Sequence, residues 1–346
     1  MRTLVDINHP AHVHFFRCAV KELRDRGHEV LITARNKECE YALLDAYGLE
    51  YTDLGTHYKG LAGKAVGMLA IDARLAKVAR RFRPHVLTGI HNTYAAHVSR
   101  LTRARSVVFT DTEHARLANT ITFPFAHRIV TPACFRLDLG PKHRRYRGYH
   151  ELAYLRPERF TPDPVMIERT GVDPDEPFVV VRLVSWGASH DVGHRGLGQR
   201  ESLRLVRALE KEARVVVTTE EAAGRELARN VVSIPPHEMH HLLAFASLYI
   251  GEGATMASEA AVLGTPALYV NPLDLGYMAE QEERYGLVHR FLEKGTTADD
   301  LLEAALPLLT EPDAQKRTAA ARERLLEETE DVTEVICEHL LDTADM

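Results

Sequence analysis

The residues best suited to chemistry lie in Gly251–Asn271, GEGATMASEAAVLGTPALYVN. The apolar run Leu248–Ile250 before it reads as a short buried strand. Gly251 and Gly253 then permit a sharp turn and close backbone approach. The Ala- and Met-rich run from about Thr255 to Leu263 reads as a helix; Gly264 stops it, and Pro266 opens the next apolar run, Ala267–Val270. The first N–H groups of a helix have no intrahelical partner and bind anions, phosphate above all. Ala254, Thr255 and Met256 are small or flexible enough to admit a diphosphate there. Glu259, about one turn beyond Thr255, offers a carboxylate able to accept both hydroxyls of a ribose. The same residues also describe a packing helix that carries a solvated glutamate, and the pattern alone leaves both readings open.

A second set of candidates sits where other apolar runs end. Thr3–Ile7 is followed by a loop, Asn8–His12, and an amphipathic helical pattern, His14–Arg26. Pro10 is excluded from strand and helix interiors, which puts His12 and His14 at or near the helix start. A neutral imidazole there can touch a ligand or act as a base. The run Ser106–Thr110 ends in Asp111-Thr112-Glu113-His114. Polar groups at the end of a buried strand suit acid–base work; alternatively, Asp111 or Thr112 caps a helix starting near Glu113. Pro177–Val184 ends in a polar loop that makes Ser185 and His190 further ligand candidates. His12 and His14 have the spacing of a metal pair on a strand, but at a helix start residues i and i+2 diverge. No HExxH or Cys/His cluster accompanies them, so no metal site is expected.

Strand and helix patterns alternate to position these groups. Apolar runs at 28–33, 50–54, 85–89 and 128–131 continue the first half, and 214–218 and 231–234 the second. Alternating β and α runs predict parallel sheets, in which ligands bind at the carboxyl ends of the strands. The glycine-rich, basic stretch Gly55–Gly67 reads as a loop before a helix ending near Phe82. Residues 137–164 carry few strand or helix signals and a basic cluster, Lys142, His143, Arg144, Arg145 and Arg147, and read as the crossing between domains. The expected organisation is α/β: residues 1–160 as an N-terminal Rossmann-like domain, 161–176 as linker, 177–325 as a second Rossmann-like domain facing it across a cleft. Residues 326–346 form a terminal helix able to pack back on the first domain.

The 346 residues suffice for two ordinary domains, and 45% hydrophobic with 27% charged residues is a globular profile. A net charge of −6 argues against a general nucleic-acid binder. No apolar run approaches the ~20 residues a membrane span needs, and Met1 leads straight into a strand pattern, so a cytoplasmic protein without signal peptide is expected. Cys18, Cys39, Cys134 and Cys337 are far apart and read as reduced thiols.

The segment Gly251–Asn271 resembles the nucleotide-sugar signature of GT-B-type enzymes. It is similar to that of the UDP-N-acetylglucosamine transferase of peptidoglycan synthesis and of the non-hydrolysing UDP-N-acetylglucosamine 2-epimerases. The resemblance implies that Gly253, Ala254 and Thr255 form the diphosphate turn, that Glu259 holds the ribose, and that Gln281 matches a position facing the donor sugar. Through DINHPAHVHFFR, RGHEVLITAR, SVVFTDTEHA, TFPFAHRIVTPACF, RGYHELAYLRPERFTPDP and GEGATMASEAAVLGTP, most of the chain resembles a family of predicted archaeal and bacterial glycosyltransferases of unknown substrate. That implies a GT-B fold and a nucleotide-diphosphate sugar, by likeness a UDP-sugar, as donor. Such enzymes need no metal or other cofactor, because helix N-terminal amides and basic groups offset the leaving diphosphate. The base comes from the N-terminal domain, with His12, Glu113, Asp111 and His114 as candidates and His12 and Glu113 foremost.

An epimerase is the alternative: a base removes a sugar proton, and UDP is eliminated and re-added. That family places an acid after the fourth strand and a histidine in the loop opening the second domain; here those places read His91-Asn92 and Ser185–His190. A non-catalytic nucleotide-sugar binder is a third reading. The expected partners are a nucleotide sugar and an acceptor hydroxyl on a sugar, a lipid-linked group or a polyol. No nucleic acid is expected, and at most peripheral contact with a membrane.

Overall fold

Seven strands form the first sheet of the computed structural model, which describes residues 1–36, 39–56, 61–168, 170–183, 197–219 and 225–346. They are β1 (Arg2–Asp6), β2 (Glu29–Asn36), β3 (Tyr51–Thr56), β4 (Val86–Ile90), β5 (Arg105–Phe109), β6 (Arg128–Pro132) and β7 (His143–Tyr146). All pairs are parallel, in the order β3-β2-β1-β4-β5-β6-β7. Central strands such as β4 are buried at every position, which is why they read as unbroken apolar runs: helices cover both faces of a parallel sheet. One face packs Leu4, Leu87, Leu75 and Val98 together. The direction of winding reverses between β1 and β4, and ligands bind at such a switch point.

The second sheet holds β8 (Phe178–Leu183), β9 (Arg214–Thr219), β10 (Leu248–Gly251), β11 (Ala267–Val270) and β12 (Val288–Phe291), again all parallel, in the order β12-β11-β10-β8-β9. Its core joins Val179, Val181, Leu205, Val217, Leu248, Ile250 and Leu268. The switch point here lies between β8 and β10. The short strand expected over 231–234 is reduced to one bridge, Val231 to Val217.

Each sheet anchors its own unit: Met1–Tyr154 with Thr329–Met346, and Leu155–Glu328. The chain thus divides after Tyr154 rather than at 160. Residues 155–176 are not a free linker but part of the second unit, where Ile167 and Val172 are buried. The terminal helix is Val332–Asp345 and belongs to the first unit, where Thr333 donates to the Ala153 carbonyl at 2.6 Å and the Cys337 thiol lies 3.9 Å from the Ala19 carbonyl. The basic cluster read as a domain crossing is partly strand: β7 contains His143, Arg144 and Arg145. It is an edge strand, and edge strands tolerate charge because only one side pairs. Leu61–Phe82 is one helix, so the expected loop Gly55–Gly67 gives way to helix from Leu61.

The helix Ala254–Leu263 carries no polar stripe and is buried from Ala257 to Leu263, as befits a helix packed on all sides. Gly264 ends it with φ +95°, and a Cβ there would lie 2.7 Å from Arg322 Cδ. Gly264→Ala therefore meets both a left-handed backbone and a clash, and should lower stability by about 1–2 kcal/mol in chemical denaturation. An unchanged midpoint would contradict this.

Candidate functional site

In the second unit, β10 delivers the chain to the switch point and the helix Ala254–Leu263 starts there. Its N-cap, Gly253, makes no side-chain hydrogen bond to the helix. Residues 252–256 are only half-buried, while everything from Ala257 on is buried. The helix thus presents an N-terminus without a side-chain cap from Gly253, with its positive dipole end, at the carboxyl edge of the sheet. A Cβ at Gly251 would collide with the ring and hydroxyl of Tyr249, so the packing of that side chain favours glycine there. That hydroxyl is buried and has no hydrogen-bond partner among the described residues. Burial first, then the carboxylates of Glu259 and Glu252 acting against the opposing Arg182, raise the Tyr249 phenol above its ordinary range.

Glu259 is not solvated: only 4% of it is exposed. Its Oε1 accepts from His240 Nε2 at 2.9 Å, and His240, on the helix Met239–Phe245, is itself 2% exposed. Gln281 is fully buried in a π-helical turn, Gln281–Tyr285, and its Nε2 donates to Ser258 Oγ at 2.7 Å. Its Oε1 has no partner among the described residues. Glu252 is fastened by its carbonyl to Asn271 Nδ2 at 3.0 Å and by Oε1 to the Leu197 amide at 3.1 Å. Ser185 and His190 lie outside the described residues.

In the first unit, the end of β1 carries a fully buried hub. Asp6 accepts from Arg35, from Thr33 Oγ1 at 2.7 Å and from Asn92 Nδ2 at 2.7 Å. Asn92 Nδ2 also donates to the Asp6 carbonyl at 2.8 Å, and its Oδ1 caps the helix Thr93–Leu101 through the Ala95 amide at 2.9 Å. The residue between β4 and this cap, His91, is held at φ +46°, a conformation few non-glycine residues adopt. His91 Nδ1 lies 3.0 Å from Thr110 Oγ1, and its Nε2 has no partner among the described residues. Burial lowers the His91 pKa, with Asp111 opposing and His114 adding to the effect, so the ring is neutral near pH 7.

Asp111 does not cap a helix. The next helix is Arg116–Thr122, with Ala115 as its N-cap. Instead Asp111 Oδ2 lies 3.2 Å from His150 Nδ1, and Oδ1 accepts from Thr112 Oγ1 at 3.0 Å. Burial alone would raise this carboxyl, but the charge and hydrogen bond of His150 and the Thr112 hydroxyl outweigh it and bring Asp111 from 3.8 to about 2. A depressed folded-state pKa stabilises the fold above the unfolded value and loses that contribution as pH falls through the folded one. The parent should therefore lose about 2 kcal/mol between about pH 5 and pH 2 that Asp111→Asn does not lose. Parallel acid-denaturation curves would contradict this.

Glu113 Oε1 accepts from the Arg136 amide at 3.3 Å. His114 is exposed. The helix expected from His14 begins at Pro10, capped by His9, whose Nδ1 accepts from the Ala11 amide at 3.2 Å. His12 and His14 are both buried in its first turns but diverge: His12 lies beside His9, and His14 stacks on Tyr154 and meets the Tyr47 hydroxyl at 3.2 Å. Among the described residues no three His, Cys, Asp or Glu side chains converge on a metal position, and no helix is long and apolar enough to cross a membrane. His91, His150 and His240 are the groups that sequence reasoning did not select. His91 carried the same strand-end signal as Asp111; His150 and His240 carried none, because their partners are distant in the chain.

Residues 1–345 match the family described as "Protein of unknown function (DUF354)". An uncharacterized protein of Methanocaldococcus jannaschii, MJ0665, is 25% identical over 282 residues, covering 78% of this chain and 82% of that protein. Among solved structures, the UDP-GlcNAc 2-epimerase of Neisseria meningitidis bound to UDP-GlcNAc superposes with a TM-score of 0.71 at 13% identity, over 99% of this chain and 100% of that one. The glycosyltransferase VinC in complex with dTDP gives 0.66 at 16% identity, over 100% of both chains. Spinosyn forosaminyltransferase SpnP gives 0.66 at 18%, over 99% of both. The fold is that of GT-B proteins.

Proposed function

The chain belongs to the DUF354 family, and we propose that this member is a cytoplasmic glycosyltransferase using a nucleotide-diphosphate sugar, a UDP-sugar first among them, without a metal. The observation that carries the reading is the uncapped, half-buried N-terminus of the helix Ala254–Leu263 at the switch point between β8 and β10. Amides fixed there hold a diphosphate in the ground state and stabilise the charge that grows on it as the glycosidic bond breaks. Glu259 takes the ribose, and Gln281, with an unpartnered buried carbonyl among the described residues, turns toward the donor sugar. The likeness to two proteins solved with UDP-GlcNAc and with dTDP supports a nucleotide sugar as the ligand.

The acceptor hydroxyl, on a sugar, a lipid-linked group or a polyol, gives its proton to a base of the first unit. His91 is the best-prepared base there: neutral, oriented through Nδ1, and with Nε2 unpartnered among the described residues. Asp111, low in pKa, suits charge stabilisation better than proton abstraction. The 2-epimerase reading is favoured by one observation, the TM-score of 0.71 to such an enzyme. Product analysis after incubation with UDP-N-acetylglucosamine separates the two: an epimerase returns a new UDP-sugar, whereas a transferase gives UDP with a glycosylated acceptor. Glu259→Ala should weaken UDP binding by more than about 1 kcal/mol, the scale of hydrogen bonds to a charged acceptor. Unchanged affinity in a folded variant would remove the ribose assignment.

A further inference from the structure

We propose that His240 is a positioning residue that fixes Glu259 for a ribose diol and so makes this site selective for ribonucleoside over 2′-deoxyribonucleoside diphosphates. The inference rests on the reading of the helix Ala254–Leu263 as a nucleotide-diphosphate site. Glu259 is surrounded along its helix by Ala257, Ala260, Ala261 and Val262, all buried. An apolar residue would fill such a position at no electrostatic cost, and an acid–imidazole pair in a core is no more stable than a packed apolar pair. The pair at Glu259 Oε1 and His240 Nε2, 2.9 Å apart and almost wholly buried, therefore needs a reason other than stability.

Geometry supplies one. Glu259 lies five residues into the helix, about 7.5 Å along its axis from the N-terminal amides. A carboxylate is acceptor-only, so His240 must donate to it through Nε2. The donor ring is itself held, by an edge-to-face contact with Phe160 at 6.1 Å and 80°. With Glu259 tethered from a second element, the carboxylate keeps one rotamer rather than several. A site built around fixed hydrogen bonds to a hydroxyl rejects the analogue that lacks it, because the protein group is then left unsatisfied.

The test is a metal-free titration of the full chain with UDP and with 2′-deoxyuridine diphosphate. The wild type should bind UDP at least about tenfold more tightly, the scale of one hydrogen bond to a charged group. His240→Asn and His240→Leu place no donor at the Nε2 position, and should bring the ratio toward one by weakening UDP alone. His240→Gln places an amide N–H there and should restore the preference. A merely structural role would weaken both nucleotides alike, with the ratio unchanged; that result, or a wild type that does not distinguish them, overturns the inference. Binding of neither nucleotide by the wild type instead overturns the nucleotide site itself. Should the Asn and Leu variants fail to fold, ¹⁵N-histidine spectra of the wild type decide. The His240 Nε2 resonance should move on adding UDP and much less on adding the deoxy compound; equal movement, or none in the presence of bound UDP, overturns the inference.

Discussion

Thr255→Glu should abolish nucleoside diphosphate binding without harming the fold. Thr255 is the second residue of the helix Ala254–Leu263 and is half-buried at its uncapped end. A carboxylate there interacts favourably with the helix dipole, worth about 0.3–1 kcal/mol, so the variant should unfold at or slightly above the parent midpoint. The same charge stands where the diphosphate must sit. Two unit charges about 4 Å apart near a protein surface repel by roughly 4 kcal/mol, and the affinity should fall by more than about 100-fold. Thr255→Gln, similar in size but neutral, should lose far less. Calorimetric titration with UDP in a chelator, paired with a melting curve, reads both effects. Retained affinity in Thr255→Glu would mean that the anion site lies elsewhere.

Asp6→Ala should be the most destabilising single change at the first unit's carboxyl edge. Asp6 and Arg35 are both 0% exposed, and Thr33 and Asn92 complete the carboxylate's partners. Removing the acid strands a guanidinium in the interior, which costs about 3–5 kcal/mol. For a unit of this size that is a fall in melting temperature on the order of 10 °C. The double variant Asp6→Ala with Arg35→Met, which removes the orphaned charge, should recover most of the loss. A single variant within about 1 kcal/mol of the parent would show that the hub is not what secures this edge. The hub also holds Asn92, whose cap on the helix Thr93–Leu101 leaves His91 its positive φ. Loss of the hub should therefore disturb His91, whose backbone is held at positive φ beside the switch point.

Much of this architecture can be read from residue types alone, because the informative signals are local. Gly264 marks a helix end that only a left-handed residue can make, and Gly253 leaves a helix start uncapped. The unbroken apolar runs that become β4, β8 and β10 announce parallel strands buried on both faces. The failures also have physical causes. β7 is written in charged residues, which an edge strand permits and which a pattern search takes for a loop. Asn8–His12 reads as a loop ahead of the helix, yet Pro10 occupies the first helical position, where its missing N–H costs nothing. At Asp111 the sequence leaves acid–base use and helix capping both open, because its partner, His150, comes from the far side of two further strands. The tether on Glu259 is of the same kind. Nothing in MHHLLAF says that His240 reaches a glutamate on the next helix. Side-chain pairing between elements follows from the packing of the sheets, and no spacing within either segment encodes it.

The proposed function depends on the second unit binding a nucleoside diphosphate through a helix N-terminus. Its most direct test is a titration of the purified full chain with UDP, GDP, CDP, dTDP and UDP-N-acetylglucosamine in the presence of a chelator, read by calorimetry. Saturable, metal-free binding of at least one of them, strongest for UDP and lost in Thr255→Glu, is the predicted result. No heat with any nucleotide, together with a clear response to Zn²⁺ once the chelator is removed, would contradict the account and turn attention to the histidines of the first unit.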